Sequence, residues 1–135
     1  MDEQTQTSLR NWLRKADEYL RAAELEFNGE FYARSISTSY YAMFYAATAA
    51  LESVGVKRDK HSGVISAFGE QFVKTGKINR EIGRTFSQVE RDREESDYSA
   101  IPAIDNTLAQ NRLSEARQFV TAVQHCLSEQ GLKLE

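Results

Sequence analysis

Apolar side chains recur at steps of three and four residues along the first part of the chain. Between about residues 7 and 28 they occupy seven such positions: Leu9, Trp12, Leu13, Ala16, Leu20, Ala23 and Phe27. This spacing predicts an α-helix with one buried stripe. We expect Thr7 or Ser8 to cap its beginning and Asn28-Gly29 to end it in a left-handed conformation. Asn-Gly is also a hairpin signal, but helical periodicity on both flanks favours the helix end.

The next segment is apolar or small nearly all round the helix, in the run YYAMFYAATAAL at residues 40–51. Such a helix is buried on more than one side. Its alanines would let neighbouring backbones approach, while its aromatic side chains fill the gaps. A central core helix and a helix shared between the core and a dimer interface both fit this pattern. In the second case the predicted dimer contacts are Tyr40, Tyr41, Phe44 and Tyr45.

Three further helices complete the pattern. Ser62 is expected to cap a short third helix, Asn79 a fourth helix at about residues 80–97, and Asp105 the last helix. Pro102 lies in the break between the fourth helix and the last one. The sequence therefore predicts an all-α fold, an antiparallel up-and-down bundle of four longer helices plus one short helix.

Length and composition add a domain count and exclude some classes of protein. The chain has 135 residues, 41% of them hydrophobic, so we expect one domain over residues 1–135 with a core at about residues 8–128. A net charge of −3 argues against a disordered chain and against a globally polycationic nucleic-acid binder. The single cysteine, Cys126, allows no internal disulfide, and no targeting segment or membrane span is apparent. We therefore expect a cytoplasmic protein.

Arg93 lies on the apolar face of the predicted fourth helix, in the same quadrant as Ile82, Phe86 and Val89. A desolvated, unpaired guanidinium costs several kcal/mol, so this side chain must reach solvent, pair with a carboxylate or line a cleft. Asp97, four residues further on, is a ready partner. Fraying near the end of the helix would instead leave Arg93 in solvent.

Basic residues form two groups along the chain. One is a stripe on the opposite side of the fourth helix: Arg80, Arg84 and Arg91. This stripe could follow phosphates, but acidic neighbours dilute it and favour a solvated mixed face: Glu81, Glu90, Asp92, Glu94 and Glu95. The other group surrounds a histidine before the third helix: Lys57, Arg58, Lys60 and His61. There His61 could help to hold a phosphate or transfer a proton, or simply belong to the helix entry.

The sequence contains no pattern that predicts a metal or cofactor site. His125 lies beside Cys126, but no second Cys or His is near it in the chain. Glycine-rich phosphate loops, the zinc-protease motif and C-x-x-C are absent from the sequence. We therefore expect neither a metal nor a cofactor.

Five sequence blocks, in order, resemble the HEPN domain family. They are G-E-F-Y-A-R-S and S-Y-Y-A-M-F-Y-A-A within residues 29–47, K-H-S-G-V-I-x-x-F at 60–68, F-V-K-T-G-K-I at 72–78 and R-E-E-S-D-Y at 93–98. The match covers about residues 8–128 and is similar to the small stand-alone prokaryotic branch. The resemblance implies an all-α bundle that commonly forms a homodimer, with a cleft where the motif helices of two subunits meet. It also implies metal-independent ribonuclease activity in many relatives, and a minimal nucleotidyltransferase as partner in a toxin–antitoxin pair.

The catalytic relatives carry an arginine, four to six intervening residues and a histidine, often followed by x-Tyr. In this chain Arg91 or Arg93 stands for the arginine, but Asp97 occupies the histidine position and Tyr98 follows it directly. An aspartate at its ordinary pKa is a poor acid near pH 7, and its charge is unfavourable beside a phosphate. Either His61 replaces the missing imidazole, or the nuclease chemistry is absent and Arg93 and Asp97 form a structural pair. We favour the second interpretation.

These observations favour a HEPN-type homodimer that binds a nucleotide, an RNA or a protein partner without catalysing a reaction. The expected cleft contains Arg93, Asp97, Tyr98, His61, Lys60 and Tyr41. The expected protein partner is a minimal nucleotidyltransferase, in a toxin–antitoxin-like pair. The first alternative is a metal-independent ribonuclease with Arg93 and His61 as catalytic residues. The second alternative is a purely structural dimerisation module.

Overall fold

A computed structural model of the chain describes residues 1–98 and 104–134, apart from the side chain of Tyr98. The described residues form five α-helices: Glu3–Asn28 (α1), Tyr32–Ser53 (α2), His61–Phe68 (α3), Arg80–Tyr98 (α4) and Asn106–Glu129 (α5). One turn of π-helix, Gly69–Val73, continues α3. No strand occurs in these two ranges, so the prediction of an all-α bundle is confirmed. Nor is any helix within them long and apolar enough to cross a membrane.

Helix α2 is the centre of the bundle, because α1, α3, α4 and α5 all pack against it. Five of its alanines are at most 1% exposed: Ala42, Ala46, Ala47, Ala49 and Ala50. Since these side chains are small, the neighbouring helices can approach the α2 backbone closely. The buried Ser35 hydroxyl donates to the Ala23 carbonyl of α1 at 2.8 Å, which satisfies the serine and joins the two helices. This burial matches the predicted central core helix.

The two ends of α1 differ from the sequence prediction. The helix begins at Glu3, and its cap is Asp2, whose side chain accepts a hydrogen bond from the Thr5 amide at 2.7 Å. Thr7 and Ser8 lie inside the helix, so the prediction that one of them caps it is wrong. The helix ends at Asn28, as predicted, but Gly29 is not left-handed, with a φ of −84°. The left-handed residue is Glu30, with a φ of 67°.

The starts of the later helices follow the sequence more closely. Asn79 Oδ1 accepts from the Glu81 amide at 2.7 Å, and Asp105 caps α5 by accepting from the Leu108 amide. Both predicted caps are therefore confirmed. The predicted cap Ser62 is wrong, because α3 begins one residue earlier, at His61. The predicted break around Pro102 lies outside the described residues.

An aromatic core lies where α3, α4 and α5 meet. Phe86 of α4 and Phe119 of α5 have ring centres 5.0 Å apart, and Phe68 of α3 lies at the same distance from Phe119. All three side chains are at most 1% exposed. Helix α4 also passes so close to the π-helical turn that a Cβ at Gly83 would overlap the Val73 side chain. These contacts position α4 beside α3 and the π-helical turn, and the candidate site is built on α4, α3 and α2.

Candidate functional site

Arg93 is buried where α4 faces α2, and two carboxylates of its own helix hold its guanidinium. Only 8% of the residue is exposed. Nε donates to Glu90 Oε1 at 2.8 Å, Nη2 lies 2.7 Å from the same oxygen, and Nη1 donates to Asp97 Oδ2 at 2.9 Å. Of the alternatives open to this arginine, pairing with carboxylates is the one found. Burial alone would lower the pKa of Arg93, but the hydrogen bond and charge of Glu90 outweigh it and raise the pKa.

Two tyrosine rings of α2 lie against the Arg93 guanidinium. Its central carbon is 4.9 Å from the ring centre of Tyr40 and 5.7 Å from that of Tyr41. A guanidinium at such a distance is attracted by the electron-rich face of an aromatic ring. Tyr40 has no exposed surface and lies 5.9 Å from Phe86 between ring centres. Two carboxylates of α4 therefore orient the guanidinium, and its contacts with the two rings join the last turns of α4 to α2.

His61, the first residue of α3, joins the same cluster. Its Nδ1 lies 3.0 Å from the Tyr40 hydroxyl and 3.8 Å from Glu90 Oε2. In the neutral ring with its proton on Nε2, Nδ1 accepts a hydrogen bond from the tyrosine. The side chain is 37% exposed, so the ring reaches solvent while its Nδ1 edge is held by the protein. A histidine oriented in this way is able to exchange a proton through Nε2.

Glu90 is the member of the cluster that the sequence interpretation missed. It was expected to dilute a solvated basic stripe, but it is only 8% exposed and contacts both Arg93 and His61. A usable signal was present in the sequence. Glu90 lies four residues after Phe86 and three before Arg93, so all three share one face of the helix. An acidic residue between two inward positions predicts a buried partner for the arginine.

The other residues of the predicted cleft are placed as follows. Asp97 is in the cluster, and 36% of its side chain is exposed, so its ion pair with Arg93 reaches solvent at one edge. Tyr41 is half-buried against the guanidinium, and Lys60 is exposed next to His61. The side chain of Tyr98 lies outside the described residues. The structure therefore unites residues from three helices at one site.

The predicted dimer contacts on α2 differ in exposure. Tyr41, Phe44 and Tyr45 are half-buried and form a row of rings with centres 5.9 to 6.4 Å apart. Tyr45 also stacks against Trp12 of α1 at 5.8 Å. Tyr40 differs from the expectation, because a side chain without exposed surface cannot touch a second copy of the chain. It supports the row from within the core instead.

The basic stripe of α4 is a solvated mixed surface, as the sequence favours. Arg84 pairs with Glu81 at 3.6 Å, and Arg91 donates to Gln88 at 2.8 Å. Such exposed pairs contribute little to stability. Within residues 1–98 and 104–134, no three His, Cys, Asp or Glu side chains are grouped so as to hold a metal ion.

The buried tyrosines predict a loss of stability at alkaline pH. Burial chiefly, and then the charge of Glu90, raises the pKa of Tyr40, while burial and a hydrogen bond with Tyr19 raise that of Tyr45 to about 12. In the unfolded chain both phenols ionise near pH 10. Their contribution to stability is therefore complete below pH 10 and is lost as the pH rises further. Urea unfolding between pH 9 and pH 11 should show this fall, and the fall should be much smaller in a Tyr40→Phe/Tyr45→Phe variant, which lacks both phenols. Parallel pH slopes for the two proteins would contradict it.

The charge balance of the cluster limits what it can bind. An anion that approached Arg93 would compete with Glu90 and Asp97, whose oxygens already take up three of its five N–H groups. The groups left to face a ligand are the solvent-exposed edge of His61 and the exposed Lys60. The arrangement is therefore a poor phosphate clamp, although it leaves one histidine able to transfer a proton.

Comparisons with known proteins agree with this architecture. A family model for the HEPN domain matches residues 9–126. A UPF0332 protein of Thermotoga maritima is 32% identical over 118 residues, which is 87% of this chain and 89% of that protein. Two proteins of Methanocaldococcus jannaschii carry names that class them as candidate toxins. One is 30% identical over 92% of this chain and 84% of its own length, and the other is 32% identical over 84% of both.

Proposed function

Since the chain belongs to the HEPN domain family, we propose that it is the toxin-like member of a toxin–antitoxin-like pair and acts by binding, without catalysis. Its ligand is an RNA or a nucleotide, and its protein partner is a minimal nucleotidyltransferase. The toxin class named for two archaeal relatives supports the first part of this proposal. The resemblance of five sequence blocks to the HEPN family supports the second.

The observation that carries the proposal is the neutralised Arg93. A catalytic arginine needs donors that turn to a phosphate in the transition state. Here Nε and both terminal nitrogens already lie within 2.9 Å of the Glu90 or Asp97 oxygens. Turning them to a phosphate would leave a nearly buried carboxylate without its partner, which is costly. Arg93 therefore serves to hold α4 against α2 and to shape the surface around it.

A homodimer is part of the proposal, and the aromatic row supports it. Tyr41, Phe44 and Tyr45 leave part of their rings exposed on one face of α2. Aromatic side chains are enriched at the centre of protein interfaces. The row runs into the cluster, because Phe44 lies 4.5 Å from His61 between ring centres. A second copy seated on this row would close one side of the His61 site.

A metal-independent ribonuclease is the second candidate, and the orientation of His61 favours it. Cleavage through the 2′-hydroxyl needs a group that removes a proton and a group that returns one, and histidine titrates in the right range for both. With Nδ1 accepting from the Tyr40 hydroxyl, the Nε2 atom of His61 is arranged for such an exchange. In this mechanism His61 takes the role of the motif histidine, whose position in this chain is occupied by Asp97.

One experiment separates the two candidates. The purified protein is mixed with end-labelled cellular RNA in EDTA at about 50 mM salt, where electrostatic binding is strong. Retarded but intact RNA is the result expected for the binding module. Cleavage that disappears in His61→Ala would overturn it in favour of the ribonuclease.

Two controls make the result decisive. His125→Ala removes the other histidine, which is exposed on α5 and lies 3.4 Å from Glu129. It should behave as the unmodified protein in either case. RNA that is neither bound nor cut would contradict the ribonuclease and remove RNA as the ligand of the binding module. If nucleotides are not bound either, a structural dimer remains, for which sedimentation at several protein concentrations is the direct measurement.

A further inference from the structure

A pocket of about 370 Å³ lies beside the His61 cluster, between α1, the end of α2 and the loop that precedes α3. Its walls include the rings of Trp12 and Phe44 and the aliphatic side chains of Leu51 and Val64. The volume falls within the usual range for a small-molecule site. Phe44 is shared, because it lines the pocket and also lies 4.5 Å from His61 between ring centres. The pocket is therefore adjacent to the candidate site but distinct from it.

Polar groups enter the pocket along one line of α2 and from the loop. Thr48 and Glu52 follow Phe44 at successive helical turns on α2. The loop contributes two positive charges to the lining, those of Lys57 and Arg58, and α2 contributes one negative charge, that of Glu52. The lining thus combines aromatic walls with a net positive charge at one end, which is the pattern of a site for a small anion with an aromatic part.

Arg58 is exposed and makes two local contacts. Its aliphatic stem packs over Gly63, where a Cβ would lie 3.3 Å from the Arg58 Cβ. Its Nη1 donates to the Lys57 carbonyl at 2.8 Å. Gly55, with a φ of 73°, ends α2 in a left-handed conformation that glycine adopts without strain, and the next amide, that of Val56, donates to the Leu51 carbonyl at 2.9 Å.

We propose that this pocket binds a small planar aromatic anion, with its ring against Trp12 and Phe44 and its anionic group on Arg58 and Lys57. A nucleoside monophosphate and an aryl carboxylate share this chemistry. The inference rests on the proposed function only in that a nucleotide is one of its expected ligands. It does not require that RNA be bound, and it gives Arg93 no part in ligand binding.

The test is calorimetric titration with three probes: AMP, adenosine and 2-naphthoate. AMP or 2-naphthoate should bind, and adenosine should bind at least about tenfold more weakly than AMP because it lacks the anionic group. Trp12 is the only tryptophan in the chain, so its fluorescence reports occupancy of the pocket directly. AMP binding without a change in that fluorescence would place the ligand elsewhere and overturn the proposal.

Charge variants locate the anionic group. Arg58→Gln should weaken binding at least about tenfold, whereas Glu52→Gln should strengthen it a few-fold because a repulsive charge is removed. Arg21→Gln is the matched control, since Arg21 is an exposed α1 arginine that lines a different groove, against α5. Urea unfolding of each variant confirms that it is folded.

The outcomes separate this inference from the proposed function. If neither anion binds up to millimolar concentration, or if Arg58→Gln and Arg21→Gln bind alike, the pocket inference is wrong. RNA retention by the same protein would then leave the proposed function standing. Binding of AMP by a protein that ignores RNA would support the pocket and remove RNA from the proposed function.

Discussion

Replacing Arg93 with methionine is expected to lower the free energy of unfolding by about 3 kcal/mol, because it removes one partner from a nearly buried ion cluster. Methionine keeps an unbranched stem of similar shape, so the loss measures the charge more than the packing. Glu90, with 11% of its side chain exposed, would lose its nearest cation. Chemical denaturation monitored by circular dichroism gives the value.

A surface ion pair provides the matched control for Arg93. Arg117 on α5 pairs with Glu24 on α1 at 2.9 Å, but both side chains are about half exposed, at 47% and 53%. Arg117→Met should therefore cost less than about 1 kcal/mol. Adding Glu90→Gln to Arg93→Met should recover part of the lost stability, because the orphaned charge is removed. Equal losses for the Arg93 and Arg117 variants would show that the cluster contributes no more than a surface pair.

Replacing Phe86 with alanine is expected to destabilise the protein by about 3 to 5 kcal/mol, the largest single effect that we predict. The side chain is 1% exposed and lies within 5.9 Å, between ring centres, of Tyr40, Phe68 and Phe119. Its removal leaves a cavity that three neighbouring rings cannot easily fill, since their own positions are fixed by α2, α3 and α5. Urea unfolding measures the change.

Phe31 is the corresponding control, because 60% of this phenylalanine is exposed. Phe31→Ala should change the free energy of unfolding by less than about 0.5 kcal/mol. Phe86→Leu should recover more than half of the loss caused by alanine, since leucine refills much of the cavity. A loss below about 1 kcal/mol in Phe86→Ala would contradict the close packing described for the aromatic core.

The sequence predicts those parts of the fold that depend on local chemistry. Asn79 and Asp105 are recognisable caps because each is followed by a helix with an apolar stripe. The beginning of α1 is harder to predict, since its first turn is polar and solvent-exposed, so no stripe marks it. Only the short polar side chain of Asp2 indicates where the helix starts.

The candidate site could be predicted in part. The position of Arg93 on the apolar face of α4 already required a partner, and Asp97 lay at the right spacing. The same helical spacing could have predicted that Glu90 is a partner of Arg93. The burial of Tyr40 could not be predicted, because α2 is apolar all round and only the packing of the neighbouring helices decides which ring points inward. The pocket could not be predicted from the sequence either, since its lining includes Trp12 and Arg58, which lie far apart in the chain.

The position of Phe44 has a thermodynamic consequence. The Phe44 ring lines the pocket and also packs against His61, with the two ring centres 4.5 Å apart. A ligand that displaced this ring would therefore also disturb the packing around His61. Linkage is reciprocal, so a change at the His61 site that moves Phe44 would alter the affinity of the ligand by the same factor. A single aromatic side chain would thus make a small-molecule signal and an acid–base group report on each other.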